Sequence, residues 1–316
     1  MLQFDASYFK GEERDGFYIE PLMKKAWAAH LEVLYVIDEI CTRYNITYYA
    51  DWGTLLGAIR HKGYIPWDDD LDIAMKRVDY ERFLKIAEKE LPKEWDILTV
   101  DKCSEWGKYL ARVINTRVVP LPESEMQKYH GFPYAAGVDI FAIDNMPTDA
   151  GEADTYIQLF KVVYYLAQTW EQNDMAENMA TLKEIEEFCN MKFTEDKSYK
   201  HQLWILVDWI ASMYWELGAE AEAVTQTFML ADKPDFRIPA SCYDSVVRVP
   251  FENIMIPIPV GYDKILSTYY GDYMTPVRGE ADHEYPFYKT QREAFYKKCR
   301  ENGVEITDSV KTILGE

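Results

Sequence analysis

The chain has 316 residues, and its 34 basic and 54 acidic side chains give a formal charge of −20. Hydrophobic residues make up 48% of the sequence and charged residues 28%, a composition typical of a globular protein rather than a disordered chain. A pI near 4.7 without any Lys/Arg run argues against a nucleic-acid polymer as partner and against a polybasic membrane-docking segment. This length predicts one large domain or two modest ones.

The sequence carries no signal for export or membrane insertion. No stretch approaches the roughly 20 uninterrupted apolar residues that a membrane span needs, so we expect no integral membrane segment. The first ten residues lack the basic-then-apolar run of a signal peptide. The cysteines form no CxxC pair, which favours free thiols in a reducing compartment and excludes a cysteine zinc site. We therefore expect a cytoplasmic protein. The cysteines are Cys41, Cys103, Cys189, Cys242 and Cys299.

The first half of the chain predicts mixed α and β structure. A helix is expected over Pro21–Tyr44, where Pro21 suits the first turn and apolar residues recur every three or four positions. β-Branched and aromatic residues predict a strand at 46–50, followed by a turn and a short helix through Leu55 and Ile59. Beyond a Gly- and Pro-punctuated loop, the remaining predictions are strands at 71–75, 95–100, 109–114 and 138–143 and a helix at 78–90.

The composition changes after residue 147. Long periodic segments with few breakers predict helices at 153–170, 173–190 and 199–227. Beyond residue 234 the chain returns to short segments punctuated by Pro, notably 254–260, and helices are expected at 262–270 and 290–299. We therefore predict an α+β fold in which a mixed β-sheet core is flanked by helices and carries a helical insertion or subdomain. The predicted units are a core at 1–147, the helical segment at 148–232 and a C-terminal segment at 233–316 that packs back on the core.

The most informative segment is the acidic run from Asp68 to Asp72, in which four of five residues are aspartates. Residues two apart in a strand point to the same side, so Asp70 and Asp72 should share one face while Leu71 and Ile73 point into the core. Two carboxylates at this spacing suit a hard divalent cation such as Mg²⁺.

Two other interpretations of the run need weighing. An acidic run is commonly a solvated turn, although the apolar alternation after Asp70 places this one at the edge of a core strand. A calcium loop starting at Asp68 would need Gly at its sixth position and Glu at its twelfth. The chain has Ile73 and Asp79 there, which excludes that loop.

A second acidic position, Asp139, lies inside the apolar run 138–143. A carboxylate in such a run is costly to bury without a partner. If its strand neighbours the one that carries Asp70 and Asp72, the three carboxylates share a metal ion; the alternative is a hydrogen-bonded structural aspartate.

These features together resemble known proteins. A Gly-Thr turn that opens a helix, an Asp-x-Asp strand and a third Asp on a later strand resemble the nucleotidyltransferase superfamily, in which the helix N-terminus binds phosphate. The stretches 49–75, 138–147 (VDIFAIDNMP) and 262–276 (with YYGDYM) resemble the LicD family, which includes fukutin and fukutin-related protein. The helical middle carries no diagnostic resemblance.

The resemblance implies a nucleotidyltransferase-like core and a transferase that uses a CDP-activated alcohol, typically CDP-choline. Such an enzyme moves the phosphoalcohol, here phosphocholine, to a sugar hydroxyl of a cell-surface glycan precursor, for example of teichoic acid or lipopolysaccharide, and releases CMP. The acceptor is a glycan or a lipid-linked glycan, and the latter implies transient association with the inner membrane face. The cofactor is Mg²⁺ or Mn²⁺.

The resemblance also implies roles for individual residues. Asp70, Asp72 and Asp139 are the catalytic carboxylates, and Asp68 joins them as a metal ligand. Asp139 either binds metal or takes the proton of the incoming hydroxyl. Gly53 and Thr54 occupy the phosphate-turn position.

Nearby cations and aromatic rings are further substrate-binding candidates. Phosphate oxygens need positive charge, and Arg suits bidentate contact. A choline group needs ring faces, for which Trp52, Tyr64 and Trp67 lie nearest to the motif. The candidate cations are Arg60, Lys62, Lys108 and Arg112. His61 and His283 have no partner visible in the sequence, so we assign them no catalytic role.

Two alternative functions remain open from the sequence. A nucleotidyl- or glycosyltransferase with another nucleotide donor uses the same Asp-x-Asp device, although a glycosyltransferase should show a different nucleotide-binding unit before it. A non-catalytic family member would bind a nucleotide or glycan without turnover. The presence of Asp70, Asp72 and Asp139 argues against this degeneration.

Overall fold

The computed structural model of the protein describes residues 1–120, 122–278 and 285–315. His283 lies outside these residues. The helices are α1 (Pro21–Tyr44), α2 (Trp52–Arg60), α3 (Arg77–Glu90), α4 (Glu123–Met126), α5 (Ala150–Thr169), α6 (Met175–Cys189), α7 (Tyr199–Ala211), α8 (Met229–Asp232), α9 (Tyr262–Tyr270), α10 (Tyr288–Glu301) and α11 (Asp308–Ile313). The strands are β1 (Glu12–Arg14), β2 (Phe17–Ile19), β3 (Tyr49–Ala50), β4 (Asp72–Lys76), β5 (Asp96–Leu98), β6 (Ala111–Ile114), β7 (Gly137–Asn145), β8 (Ala223–Thr225), β9 (Ile238–Pro239), β10 (Val246–Phe251) and β11 (Ile254–Pro259).

Seven of the described strands form one mixed sheet. Its main path runs β3-β4-β7-β6-β5, and β8 pairs with the far end of β7 and with β9. Only β4 and β7 are parallel among these pairs; the other pairs are antiparallel. β1/β2 and β10/β11 are separate hairpins. With helices packed around this sheet, the predicted α+β class with a mixed sheet core is confirmed.

The long helix α1 begins and ends where the sequence predicts. Pro21 occupies the first turn, where its missing N–H costs no helical hydrogen bond. Asn45 ends the helix in the left-handed conformation at φ 50°, and its N–H bonds to the carbonyls of Cys41 and Thr42. α1 packs against β7 and α3, and α3 packs against β4 and β7. Ile73 and Met75, which alternate with Asp72 along β4, are fully buried.

The strand predicted at 46–50 is shorter in the structure, because only Tyr49–Ala50 pairs with β4. The Ile46 N–H donates to the Cys41 carbonyl at the end of α1, and the Thr47 N–H donates to the Asp79 carboxylate. Both donors are therefore committed before the chain reaches the sheet.

The helical middle agrees with the prediction except at its end. α5 and α6 cover most of the first two predicted segments, although α5 begins before residue 153, and the predicted helix 199–227 is wrong beyond Ala211. The chain there enters a 3₁₀ helix at Trp215–Glu220 and then β8, which pairs with Asp144 and Asn145 of β7. This segment therefore returns to the sheet, while the unit boundaries at 147 and 232 stay predictions.

The other elements differ mainly at their ends. α9 matches the predicted helix at 262–270, and the short segment noted at 254–260 is the strand β11. β10, with its largely exposed residues and Pro250, carries no clear strand pattern. Among the described residues, none of the helices combines the length and apolar character needed to cross a bilayer.

Candidate functional site

The acidic run lies where the loop after α2 enters β4. Carboxylate oxygens of Asp68, Asp69 and Asp70 lie within 4.8 Å of one another. The Trp27 indole N–H donates to the Asp68 carbonyl at 3.0 Å, which fixes the loop from the α1 side. Buried Asp69 accepts the Phe287 backbone N–H at 2.5 Å, which ties the loop to the C-terminal segment. The run is thus a fixed part of the protein rather than a solvated turn.

Asp139 lies beside the run, as the sequence predicts. In the parallel pairing of β4 with β7, Asp72 is opposite Asp139, so both side chains lie on the same face of the sheet. Arg112 of β6 is opposite Asp139 on the other side. Its Nε and Nη2 each donate to one oxygen of the Asp139 carboxylate. Three adjacent strands therefore carry a row of Asp72, Asp139 and Arg112.

The carboxylates exceed the positive charge beside them. Burial raises the pKa of Asp68 well above its usual range, and the neighbouring Asp70 carboxylate raises it further. Burial and the carboxylates of Asp70 and Asp139 raise the pKa of Asp72 in the same way. Burial disfavours the Arg112 cation, but the Asp139 carboxylate outweighs this and raises the pKa of Arg112. A concentrated set of oxygen ligands with surplus negative charge fits a hard divalent cation.

The predicted Gly-Thr turn is joined to the start of β4 by two reciprocal hydrogen bonds. The Asp51 N–H donates to the Asp72 carbonyl at 3.0 Å, and the Asp72 N–H donates to Thr54 Oγ1 at 2.8 Å. The Thr54 hydroxyl thus has a structural bond, and its side chain is buried. Gly53 lies directly against Asp68: a Cβ at this position would meet the carboxylate oxygen Oδ2.

Gly53→Ala is therefore expected to displace the Asp68 carboxylate and weaken divalent-cation binding. Titration of Mn²⁺ measures the effect, and we expect about tenfold weaker binding, similar to the loss of a ligand-orienting contact. Gly151→Ala is the matched control, because Gly151 is exposed in the first turn of α5 and any new contact is with Asp149 alone. Unchanged Mn²⁺ affinity in Gly53→Ala would exclude Asp68 from the site.

The predicted cations have different surroundings. Arg112 is paired with Asp139, as described above. Arg60 donates from Nη1 to the Tyr273 carbonyl at 2.8 Å, and no carboxylate in the described parts of the chain forms an ion pair with it. Lys108 is exposed, with its ammonium 5.7 Å from the Trp106 ring centre. Lys62 is exposed in the loop before the acidic run. The structure therefore brings Arg112 into the carboxylate row and keeps the lysines on its surface.

The aromatic residues predicted to line a pocket differ in how far they are buried. Tyr64 is only 2% exposed and stacks on Trp27 at 4.5 Å, so its ring faces are covered; the prediction that it lines a pocket is wrong. Trp67 is half-buried, with its ring 6.3 Å from Phe17. His61 lies 3.2 Å from the Asp15 carboxylate.

An aromatic cluster adjoins the carboxylate row, and we define it as Trp52, Phe141, Phe228 and Tyr269. Trp52 stacks on Tyr269 at 4.2 Å, and its ring centre lies 6.0 Å from Phe228 and 6.4 Å from Phe141. Phe141 follows Asp139 by two residues and so lies on the same face of β7. All four rings are partly buried. Of these residues, the sequence suggested only Trp52.

Asp51 connects the turn to this aromatic cluster. Its fully buried carboxylate accepts the Tyr269 hydroxyl at 3.1 Å and the Gln226 amide, and Gln226 in turn accepts the Trp52 indole N–H at 2.8 Å. Burial raises the pKa of Asp51 to about 7. One side chain therefore joins the turn, the helical middle and α9.

The model of the family described as LicD/FKTN/FKRP, nucleotidyltransferase domain, matches residues 45–146, the part of the chain that contains the turn, the acidic run and Asp139. This stretch of the chain is therefore similar to the LicD-family domain. The likeness seen at 262–276 lies outside the matched residues.

Three curated relatives agree with this match. Lipopolysaccharide cholinephosphotransferase LicD of Haemophilus influenzae is 25% identical over 262 residues, which cover 77% of this chain and 88% of that protein. Uncharacterized proteins of Rickettsia typhi and Rickettsia prowazekii are 52% and 56% identical over 48 and 41 residues, which are 16% and 15% of their lengths.

Proposed function

We propose that the protein is a metal-dependent transferase that moves phosphocholine from CDP-choline to a sugar hydroxyl of a cell-surface glycan precursor and releases CMP. The observation that carries the proposal is the carboxylate row of Asp72 and Asp139, next to Asp68 and Asp70 and clamped to the Gly53 turn. The similarity to a lipopolysaccharide cholinephosphotransferase supports the transferred group and the acceptor class.

In the proposed reaction, the acceptor hydroxyl oxygen forms a bond to the phosphorus that carries choline. The bond from that phosphorus to the bridging oxygen breaks, CMP leaves with the bond's electron pair, and the hydroxyl proton passes to water. Mg²⁺ or Mn²⁺, held by Asp68, Asp70, Asp72 and Asp139, would neutralise the charge of the diphosphate.

The other residues of the site orient the donor. The first turn of α2 directs backbone N–H groups of the Gly53–Thr54 turn towards the phosphates, a favourable arrangement at a helix N-terminus. Arg112 holds Asp139 by both carboxylate oxygens and fixes its orientation in the row. We assign Asp139 to the metal because it lies opposite Asp72 in the register of β4 and β7.

The aromatic cluster supports choline as the alcohol. A quaternary ammonium ion is attracted to ring faces and cannot form hydrogen bonds, so it requires aromatic walls rather than acceptors. Trp52, Phe141 and Phe228 would provide such walls beside the carboxylates, whose negative potential attracts the same cation. Tyr269 supports the Trp52 ring by stacking on it and also stacks on Phe236. Glycerol and ribitol, by contrast, require polar partners for their hydroxyl groups.

We place the reaction in the cytoplasm, where CDP-activated donors are available, with a lipid-linked glycan at the inner membrane face as acceptor. All five cysteines are free thiols, which supports a reducing compartment.

The test is CMP release from CDP-choline, CDP-ethanolamine, CDP-glycerol and CDP-ribitol, with Mg²⁺, Mn²⁺ or EDTA. We expect metal-dependent CMP from CDP-choline, at a slow rate when water replaces the glycan acceptor, and its loss in Asp70→Asn. Preference for another CDP-alcohol would overturn the choline assignment. If no donor releases CMP even with glycan acceptors present, the transferase proposal is wrong.

A further inference from the structure

The end of α9 borders the carboxylate site, and the reaction proposed above assigns it no role. Its residues 269–273 read YYGDY. Gly271 ends the helix at φ 67°, a conformation that favours glycine, and its N–H bonds to the Ser267 carbonyl at 3.0 Å. Tyr269 and Tyr270 are thus the last two residues of α9, and Tyr273 follows the turn at Gly271.

The tyrosine hydroxyls of this segment have different partners. The Tyr269 hydroxyl donates to Asp51 at 3.1 Å, and the Tyr273 hydroxyl donates to Asp263 at 2.6 Å. The Tyr270 hydroxyl has no hydrogen-bond partner in the described parts of the chain, and 42% of the residue is exposed. Two hydroxyls thus hold the segment in place, while the third is available to a ligand.

Tyr270 lies in the field of the carboxylate site. It directly follows Tyr269, whose hydroxyl bonds to Asp51 at 3.1 Å, and the negative charges of Asp51, Asp72, Asp68 and Asp70 act on its phenol. Desolvation of the phenol and these negative charges raise the pKa of Tyr270, so it remains a protonated hydrogen-bond donor. The carboxylates can only accept hydrogen bonds when ionised, and a donor among them complements an anionic ligand.

Arg60 adds a positive charge at the same place. Its guanidinium is held by the Tyr273 carbonyl at 2.8 Å and interacts electrostatically with Tyr270. The end of α9 therefore presents one neutral donor and holds one cation close to it.

We propose that Tyr270 donates its hydroxyl hydrogen bond to a phosphate oxygen of the bound donor's diphosphate, with the Arg60 guanidinium beside it. This proposal rests on the proposed function, because it needs a diphosphate held at the carboxylates. It assigns a substrate-binding role to the YYGDY segment: Tyr269 and Tyr273 position the segment, and Tyr270 contacts the substrate.

The experiment compares Tyr270→Phe with wild type in two measurements, calorimetric binding of CDP with Mg²⁺ and CMP release from CDP-choline. The variant removes only the hydroxyl, so we expect about tenfold weaker CDP binding and a similar fall in kcat/KM. Thermal stability should not change, because the hydroxyl has no protein partner. Tyr35→Phe is the matched control: Tyr35 is 37% exposed on α1, and its hydroxyl bonds to Glu39.

The two readouts separate the proposals. Equal CDP affinity in wild type and Tyr270→Phe would overturn the role of Tyr270, and so would failure of wild type to bind CDP with Mg²⁺. CDP binding that depends on Tyr270, without CMP release from any CDP-alcohol, would support this proposal and overturn the proposed reaction.

Discussion

Asp72→Asn is expected to reduce metal-dependent CMP release by at least about 100-fold. Asp72 is opposite Asp139 in the register of β4 and β7 and interacts electrostatically with Asp70 and Asp68. Loss of its charge removes a central ligand from the set that would hold the metal ion. Weaker Mn²⁺ binding should accompany the loss of turnover.

The same substitution should leave the fold intact. The backbone of Asp72 makes the structural bonds, to Thr54 and from Asp51, and Asn preserves them. The side chain is buried among like charges, so neutralising it relieves repulsion in the metal-free protein. We therefore expect thermal stability in EDTA to be equal to or higher than that of wild type.

Asp154→Asn is the matched control for the loss of one negative charge. Asp154 is exposed on α5, and Asp154→Asn changes net charge equally without touching the site. It should retain wild-type turnover and Mn²⁺ affinity. Normal CMP release by Asp72→Asn would contradict the metal assignment. So would a loss of CMP release that is explained by unfolding of the variant.

Local signals in the sequence explain how much of the fold could be predicted. α1 and α9 have apolar periodicity and clear ends, and both match the predicted bounds. The predicted helix 199–227 is wrong at its end because the apolar residues of β8 are compatible with either a helix or a strand. Pairing with β7 makes this segment a strand. Long-range pairing of this kind leaves little trace in one sequence.

In the candidate site, too, local features could be predicted from the sequence and long-range contacts could not. The acidic run and the neighbouring strand of Asp139 could be predicted because strand alternation is local. Phe228 and the Asp51 partners Gln226 and Tyr269 could not, since they come from segments about 175 residues or more away in the chain. Tyr64 was misassigned because proximity in sequence does not reveal that its ring stacks on Trp27.

The second large effect is expected at Asp144, the other aspartate of β7. Arg77 donates to it from Nε at 2.7 Å and from Nη2 at 3.2 Å, and the hydroxyls of Tyr109 and Thr227 donate at 2.9 and 2.7 Å. Asp144→Asn leaves the buried Arg77 cation with the partly exposed Asp208 as its main carboxylate partner. Breaking a buried ion pair should lower the free energy of unfolding by about 3 kcal/mol, measured by urea denaturation.

Glu81→Gln provides the control for this prediction, because it removes a 43% exposed partner of the same Arg77 at 3.4 Å. An exposed pair contributes little, so the loss should stay below about 0.5 kcal/mol.

Folded Asp144→Asn should still turn over normally, whereas Asp139→Asn should lose turnover. Equal losses of stability in Asp144→Asn and Glu81→Gln, or an inactive but stable Asp144→Asn, would contradict the assignment. The contrast separates two carboxylates five residues apart on one strand: Asp139 faces the site, and Asp144 joins the sheet to Thr227 and to Asp208 of α7 through Arg77.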